Sequence, residues 1–133
     1  MRSRIVVCAL LASGSFTASM PAPGYAAEVD GYSFSAAAQE ITQLYWLAET
    51  AAACGWASRE DSIRFKLFSL RFLSAHLSDG YREALMSLVT QARYEEGLRN
   101  AALEGAAQNC GNDRWYAGWV TYKAAADENE ERY

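Results

Sequence analysis

The stretch AAACGW (Ala51–Trp56) ends an alanine-rich run on a cysteine followed directly by glycine. Glycine adopts the left-handed, helix-terminating conformation at little cost. Gly55 therefore reads as the residue just past a helix end, and Cys54 as its last helical residue. AQNCGN (Ala107–Asn112) repeats the device, with Gly111 following Cys110. Two cysteines held at rigid helix ends suit a disulfide, provided that the chain reaches an oxidising compartment.

The N-terminus predicts that it does. Arg2 and Arg4 precede an apolar run, Ile5–Ala12, and a Ser/Thr/Pro/Gly-rich stretch then leads to GYAAE. Basic start, apolar middle and small residues at the cut form the order of a secretory signal peptide. Cleavage is expected after Ala26, with Ala27 as the alternative, so residues 1–26 are removed and the product is periplasmic. The apolar run is too short to remain as a membrane anchor. Removal takes Cys8 away and leaves an even pair, Cys54 and Cys110, which reads as a disulfide. Closing that loop stabilises the fold by about 4 kcal/mol in the chain-entropy model. Two arginines leave with no acid, so the formal charge moves from −4 to −6. An acidic domain lacks the basic footprint that phosphate backbones need, which argues against nucleic acid as a partner.

The remaining residues suffice for one small domain. Residues 27–35 read as an irregular lead-in, residues 36–127 as the helical domain, and residues 128–133 as a frayed acidic tail. Ser35 is expected to cap a first helix to Cys54, with Ala37, Ile41, Leu44, Tyr45, Ala48, Ala51 and Ala52 inward and Gln39, Thr42, Gln43, Glu49 and Thr50 outward. Ser58, with Asp61 three residues on, opens a second helix carrying two apolar stripes, Ile63/Leu70/Leu73/Leu77 and Phe65/Phe68/Phe72. A helix with two apolar stripes needs two neighbours, so it is placed at the centre of the bundle.

Ser78–Gly80 reads as a break. A long helical pattern then runs from Tyr81 to Asn109, with Tyr81, Leu85, Leu88, Val89, Ala92, Leu103, Ala106 and Ala107 inward. Glu96 and Arg99 interrupt that phase. Either the helix breaks near Gly97 or an ion pair sits on the inner face, and the cost of burying charge favours the break. Asp113 is expected to cap a last helix with Trp115, Trp119, Tyr122 and Ala126 on one face. No alternating strand pattern or internal repeat is present. The class is all-α, a small bundle of about four helices stapled by one disulfide.

Chemistry-bearing patterns are sparse. A single histidine, His76, argues against a His-rich metal cage or a Ser-His or Cys-His hydrolase. Glu83, Glu95 and Glu96 could form the paired carboxylates of a cell-wall hydrolase, but adjacent glutamates on a helix point apart and suit a solvated face. No catalytic residue, metal or cofactor is expected. Arg64, Lys66 and Arg71 give the second helix a basic character that could meet an anionic membrane surface, although two apolar stripes fit a packed helix better. Four Trp and eight Tyr are many for this length. Trp115 and Tyr116 could present flat amphipathic rings to a partner, against a core role set by the helical spacing of Trp115 and Trp119. Trp46 falls on the polar side of the first helix, either covered by the last helix or exposed as a contact residue.

LYWLAETAAACGW (Leu44–Trp56), a middle helix and LVTQARYEEGLRNAALEGAAQNC (Leu88–Cys110) together resemble an uncharacterised family of small exported α-helical, two-cysteine proteins of alphaproteobacteria. The resemblance covers residues 36–111 and implies export and an all-α fold, with no activity or functional residue to carry over. In architecture alone the chain is also similar to periplasmic acid-stress chaperones and to secretion-system immunity proteins. The expected function is non-enzymatic, exerted through contacts with another protein whose identity no motif names, and the oligomeric state is likewise unmarked.

Overall fold

Residues 34–133 are described in a computed structural model of the chain, and among them lie five α-helices and no strand. The predicted signal peptide and residues 27–33 of the lead-in lie outside the described residues. The helices are α1 (Phe34–Ala53), α2 (Arg59–Ser74), α3 (Asp79–Val89), α4 (Ala92–Asn109) and α5 (Asp113–Asn129), followed by a 3₁₀ turn, Glu130–Arg132. Five helices replace the expected four because the long C-terminal pattern is broken.

That break falls at Thr90–Gln91 rather than at Gly97. Thr90 turns its hydroxyl back onto the Met86 carbonyl at 2.7 Å, competing with the backbone at the end of α3. Gly97 continues inside α4, and a Cβ built there would meet nothing within 4 Å. The opposite end of α3 is clasped by Arg82, which donates from Nε to the Ser74 carbonyl (3.0 Å) and from Nη2 to the Leu77 carbonyl (2.9 Å). Arg82 thus ties the start of α3 to the carbonyls at and just past the end of α2.

The central helix is α1, not α2. It packs against α2, α3, α4 and α5 in turn, and its alanines at 36, 37, 48 and 51 let those neighbours approach closely. Gln43, Glu49 and Thr50, expected to face outward, are all buried, as is Glu40. A helix buried all round is the mark of a core element. The two-stripe reading of α2 holds for Phe65 and Phe72 and for Leu70, Leu73 and Leu77, all buried, and fails only at Ile63, which is 45 % exposed. Between them, Ser62, Lys66, Ser69 and Leu73 form the face that meets α1. Ser62 donates to the Ala48 carbonyl at 2.9 Å.

Local signals hold well at most helix ends. Ser58 Oγ accepts from the Asp61 amide at 3.0 Å, and Gly55 takes the left-handed conformation with φ 75°. Gly111 does not, so the two Cys-Gly pairs end their helices differently. Asn112 rather than Asp113 caps α5, accepting at Oδ1 from the amides of Arg114 (2.9 Å) and Trp115 (3.4 Å). The first helix begins at Phe34, one residue before the cap expected at Ser35.

The acidic tail does not fray. Tyr133 lies edge-on to Phe72 at 5.1 Å and to Phe68 at 6.0 Å, and Glu130 receives Arg64 Nη2 at 3.1 Å on both oxygens. The aromatic edge of α2 thus gives residues 130–133 a place to dock. Leu103, expected inward, is 58 % exposed, and Ala102 is buried in its place.

Candidate functional site

The disulfide joins Cys54 and Cys110 with a Cα–Cα separation of 5.2 Å. It ties the end of α1 to the end of α4, and the chain then turns directly into α5. Around this junction the structure assembles an aromatic surface. Trp56, one residue past Gly55, meets Tyr116 of α5 edge-on at 5.4 Å. Tyr116 is 49 % exposed, and Val120, one turn further along α5, is 47 % exposed. Two of the three aromatic residues expected to offer contacts stand elsewhere. Trp115 is buried and Trp46 is half-buried, with their rings edge-to-face at 4.8 Å, so α5 covers the polar-side tryptophan of α1. Trp115 is a correction: its ring belongs to the core, as the helical spacing with Trp119 already suggested. Trp56 was missed because it lies outside any helical phase, and only its place beside Gly55 marks it.

A second constellation was not anticipated. Glu49 of α1 is 1 % exposed, and Lys66 of α2, with its side chain 4 % exposed, donates to Glu49 Oε2. Arg59 donates to Glu49 Oε1 at 2.8 Å, and Arg99 of α4 approaches the same oxygen at 3.6 Å. Lys66 also reaches Glu95 Oε2 at 3.3 Å and lies 5.5 Å from the centre of the Tyr45 ring. Burial alone would raise the Glu49 pKa, but hydrogen bonds and charge from Lys66 and Arg59 outweigh it and hold the carboxyl below its ordinary range.

The face-to-face alignment of α1 and α4 extends from this cluster. Tyr94 exchanges a 2.8 Å hydroxyl hydrogen bond with Thr42 and meets the Tyr45 ring edge-on at 5.8 Å. Burial pushes the Tyr94 phenol up to about 12, and burial together with the neighbouring Tyr94 and Glu95 raises Tyr45 further. The inner-face ion pair that Glu96 and Arg99 hinted at is therefore real, but Glu95 rather than Glu96 takes part. Glu96 instead lines an open depression at the α3–α4 elbow with Gln91, Glu95, Arg99 and Asn100.

Of the proposed acids of a hydrolase, Glu95 and Glu96 both line the depression at the elbow, whereas Glu83 does not. Glu83 and Glu96 are exposed, while Glu95 is engaged by Lys66. His76 Nδ1 lies 2.8 Å from the Phe72 carbonyl, with its ring 4.9 Å from that of Phe72. Among the described residues no group of three or more metal-ligating side chains is present, and no helix is long and apolar enough to cross a membrane. No family model, curated protein or solved structure matches the chain.

Proposed function

We propose that this is an exported, non-catalytic helical protein that acts by binding another protein, and that the contact is made at the disulfide end. The reading rests on one observation, the half-exposed Tyr116 set edge-on against Trp56 beside the Cys54–Cys110 staple. Flat amphipathic rings dominate the energetics of protein contacts, and a ring fixed before binding loses little entropy when the partner arrives. A covalent tie at this end holds Trp56 and Tyr116 in register. The leader at residues 1–26 and the even cysteine pair support export to the periplasm. The engagement of Glu95 by Lys66 and the solvent exposure of Glu83 and Glu96 favour binding over a Glu-centred hydrolase. An immunity or inhibitor role is the narrower form of the same reading, with an exported enzyme as the partner.

The test is capture from periplasmic extract with the disulfide-bonded protein, followed by a binding titration with the captured partner. Tyr116→Ala is expected to weaken binding at least tenfold while lowering the melting temperature by no more than about five degrees. Undiminished binding by Tyr116→Ala, or a turnover abolished by Glu83→Gln or Glu96→Gln without unfolding, contradicts the proposal.

A further inference from the structure

The helices differ sharply in how they are held. Twelve residues of α1 are buried, but α3 contributes only Leu85 and Val89, and α4 only Ala102. Apolar burial is the main cohesive force in a fold, so α3 and α4 are the least firmly attached part of it. Half-buried Tyr94 and Leu98 pack against the core, and the Tyr81 ring lies 6.2 Å from that of Phe34. The rest of their hold on α1 is polar: the Thr42–Tyr94 hydroxyl pair, and the cluster in which Glu49 draws in Arg99 directly and Glu95 through Lys66. The ends are fixed by other means. Cys110 is bonded to Cys54, and Arg82 clasps α3 to the end of α2. A segment pinned at both ends and weakly packed between them can lift at its middle, here the Thr90–Gln91 elbow.

We propose that α3 and α4 form an arm latched to the core by the Glu49 ion cluster, and that protonation of Glu49 releases the elbow and uncovers the Ile41–Tyr45 face of α1. Every charged neighbour of Glu49 bears on this. From α2, Arg59 and Lys66 face it; from α4, Arg99 faces it and Glu95 shares Lys66; from its own helix, Tyr45 underlies Lys66, with Tyr94 beside that ring. Among the described residues no ion pair joins Glu49 to α3 or α5. Once Glu49 is neutral, Arg59 and Arg99, each about half exposed, turn to water, and Lys66 is left with Glu95 alone. The buried ammonium, left with one part-exposed carboxylate 3.3 Å away, then favours an open arm in which water reaches it. The carboxyl is held below its ordinary range, so the latch is closed at neutral pH and opens only as pH falls through that lowered value.

Amide hydrogen exchange on the disulfide-bonded full chain tests this, with protection factors corrected for the intrinsic rate at each pH. Acidification from pH 7 to pH 3 is expected to cost residues 85–99 at least ten times more protection than residues 113–129. Glu49→Gln is expected to open the same segment at pH 7. Glu130→Gln, which breaks the remote pair with Arg64, is expected to leave it closed. The paired replacement Glu49→Leu/Lys66→Met removes both charges and is expected to keep the arm closed at pH 3. Should Glu49→Gln fail to fold, the wild-type titration and the paired replacement still decide. Equal loss of protection in all helices, an arm indifferent to acid, or acid opening that persists in the paired replacement overturns the proposal.

Discussion

Lys66 of α2 donates to the carboxylate of Glu49 in α1 with both side chains almost wholly withdrawn from water. Seventeen residues of sequence separate them, and the pair fixes how the second helix lies along the first. Buried ion pairs are costly to form and costly to break from one side, because removing one partner strands the other charge. The contact therefore acts as a constraint on arrangement as much as a source of stability.

Acid and alkali are expected to unfold the domain for different reasons. Glu49 has a lowered folded pKa, so its contribution is complete above the ordinary carboxylate range and lost as pH falls through the lowered value. Tyr45 and Tyr94 have raised pKa values, so their contribution is complete below about pH 10 and declines as pH rises toward 12. Urea midpoints measured across pH are expected to form a plateau falling at both ends. Tyr94→Phe is expected to make the alkaline fall less steep.

Reduction of the Cys54–Cys110 bond is expected to lower stability by about 4 kcal/mol, because the reduced unfolded chain regains the entropy of a 56-residue separation. For a domain of this size, calorimetry is expected to register a drop of well over ten degrees.

The tryptophans of α1 and α5 are expected to divide by burial. Trp119→Ala removes a ring that packs on Phe65 at 5.0 Å and is expected to cost about 3–5 kcal/mol. Tyr116→Ala removes an exposed ring and is expected to cost about 1 kcal/mol or less. Trp46→Ala falls between, since its edge rests on Trp115. Denaturant unfolding of the three variants checks the order.

Thr50 is fully buried, and among the described residues its hydroxyl has no hydrogen-bond partner. Thr50→Val replaces the hydroxyl with a methyl group of similar size. The substitution is expected to raise stability by about 1 kcal/mol, read from the shift in the urea midpoint.

What could be foreseen was what local chemistry decides. Ser58 caps α2, Gly55 ends α1, the Trp115/Trp119/Tyr122 face of α5 is buried, and the two cysteines pair, because each depends on residues a few positions apart or on compartment. The wrong expectations for α1 share one assumption, that polar side chains on an amphipathic helix face water. Glu49 faces inward because Arg59, Lys66 and Arg99 meet it there, and those partners come from two other helices. No periodicity within α1 records that meeting. The only trace was the phase break at Glu96 and Arg99, where a charged inner face and a broken helix predict the same pattern. The exposed aromatic pair was half visible: Tyr116 stood out in the aromatic cluster, but its neighbour Trp56 comes from a loop that only the tertiary fold brings to α5.

A double-mutant cycle between Glu49 and Lys66 tests most directly whether the fold is organised around this pair. Urea unfolding at neutral pH is expected to show Glu49→Gln and Lys66→Met each costing about 3 kcal/mol, and the double variant costing no more than either single one. The two residues are then coupled by about 3 kcal/mol or more. Single effects that simply add, with a coupling below about 0.5 kcal/mol, would contradict the account.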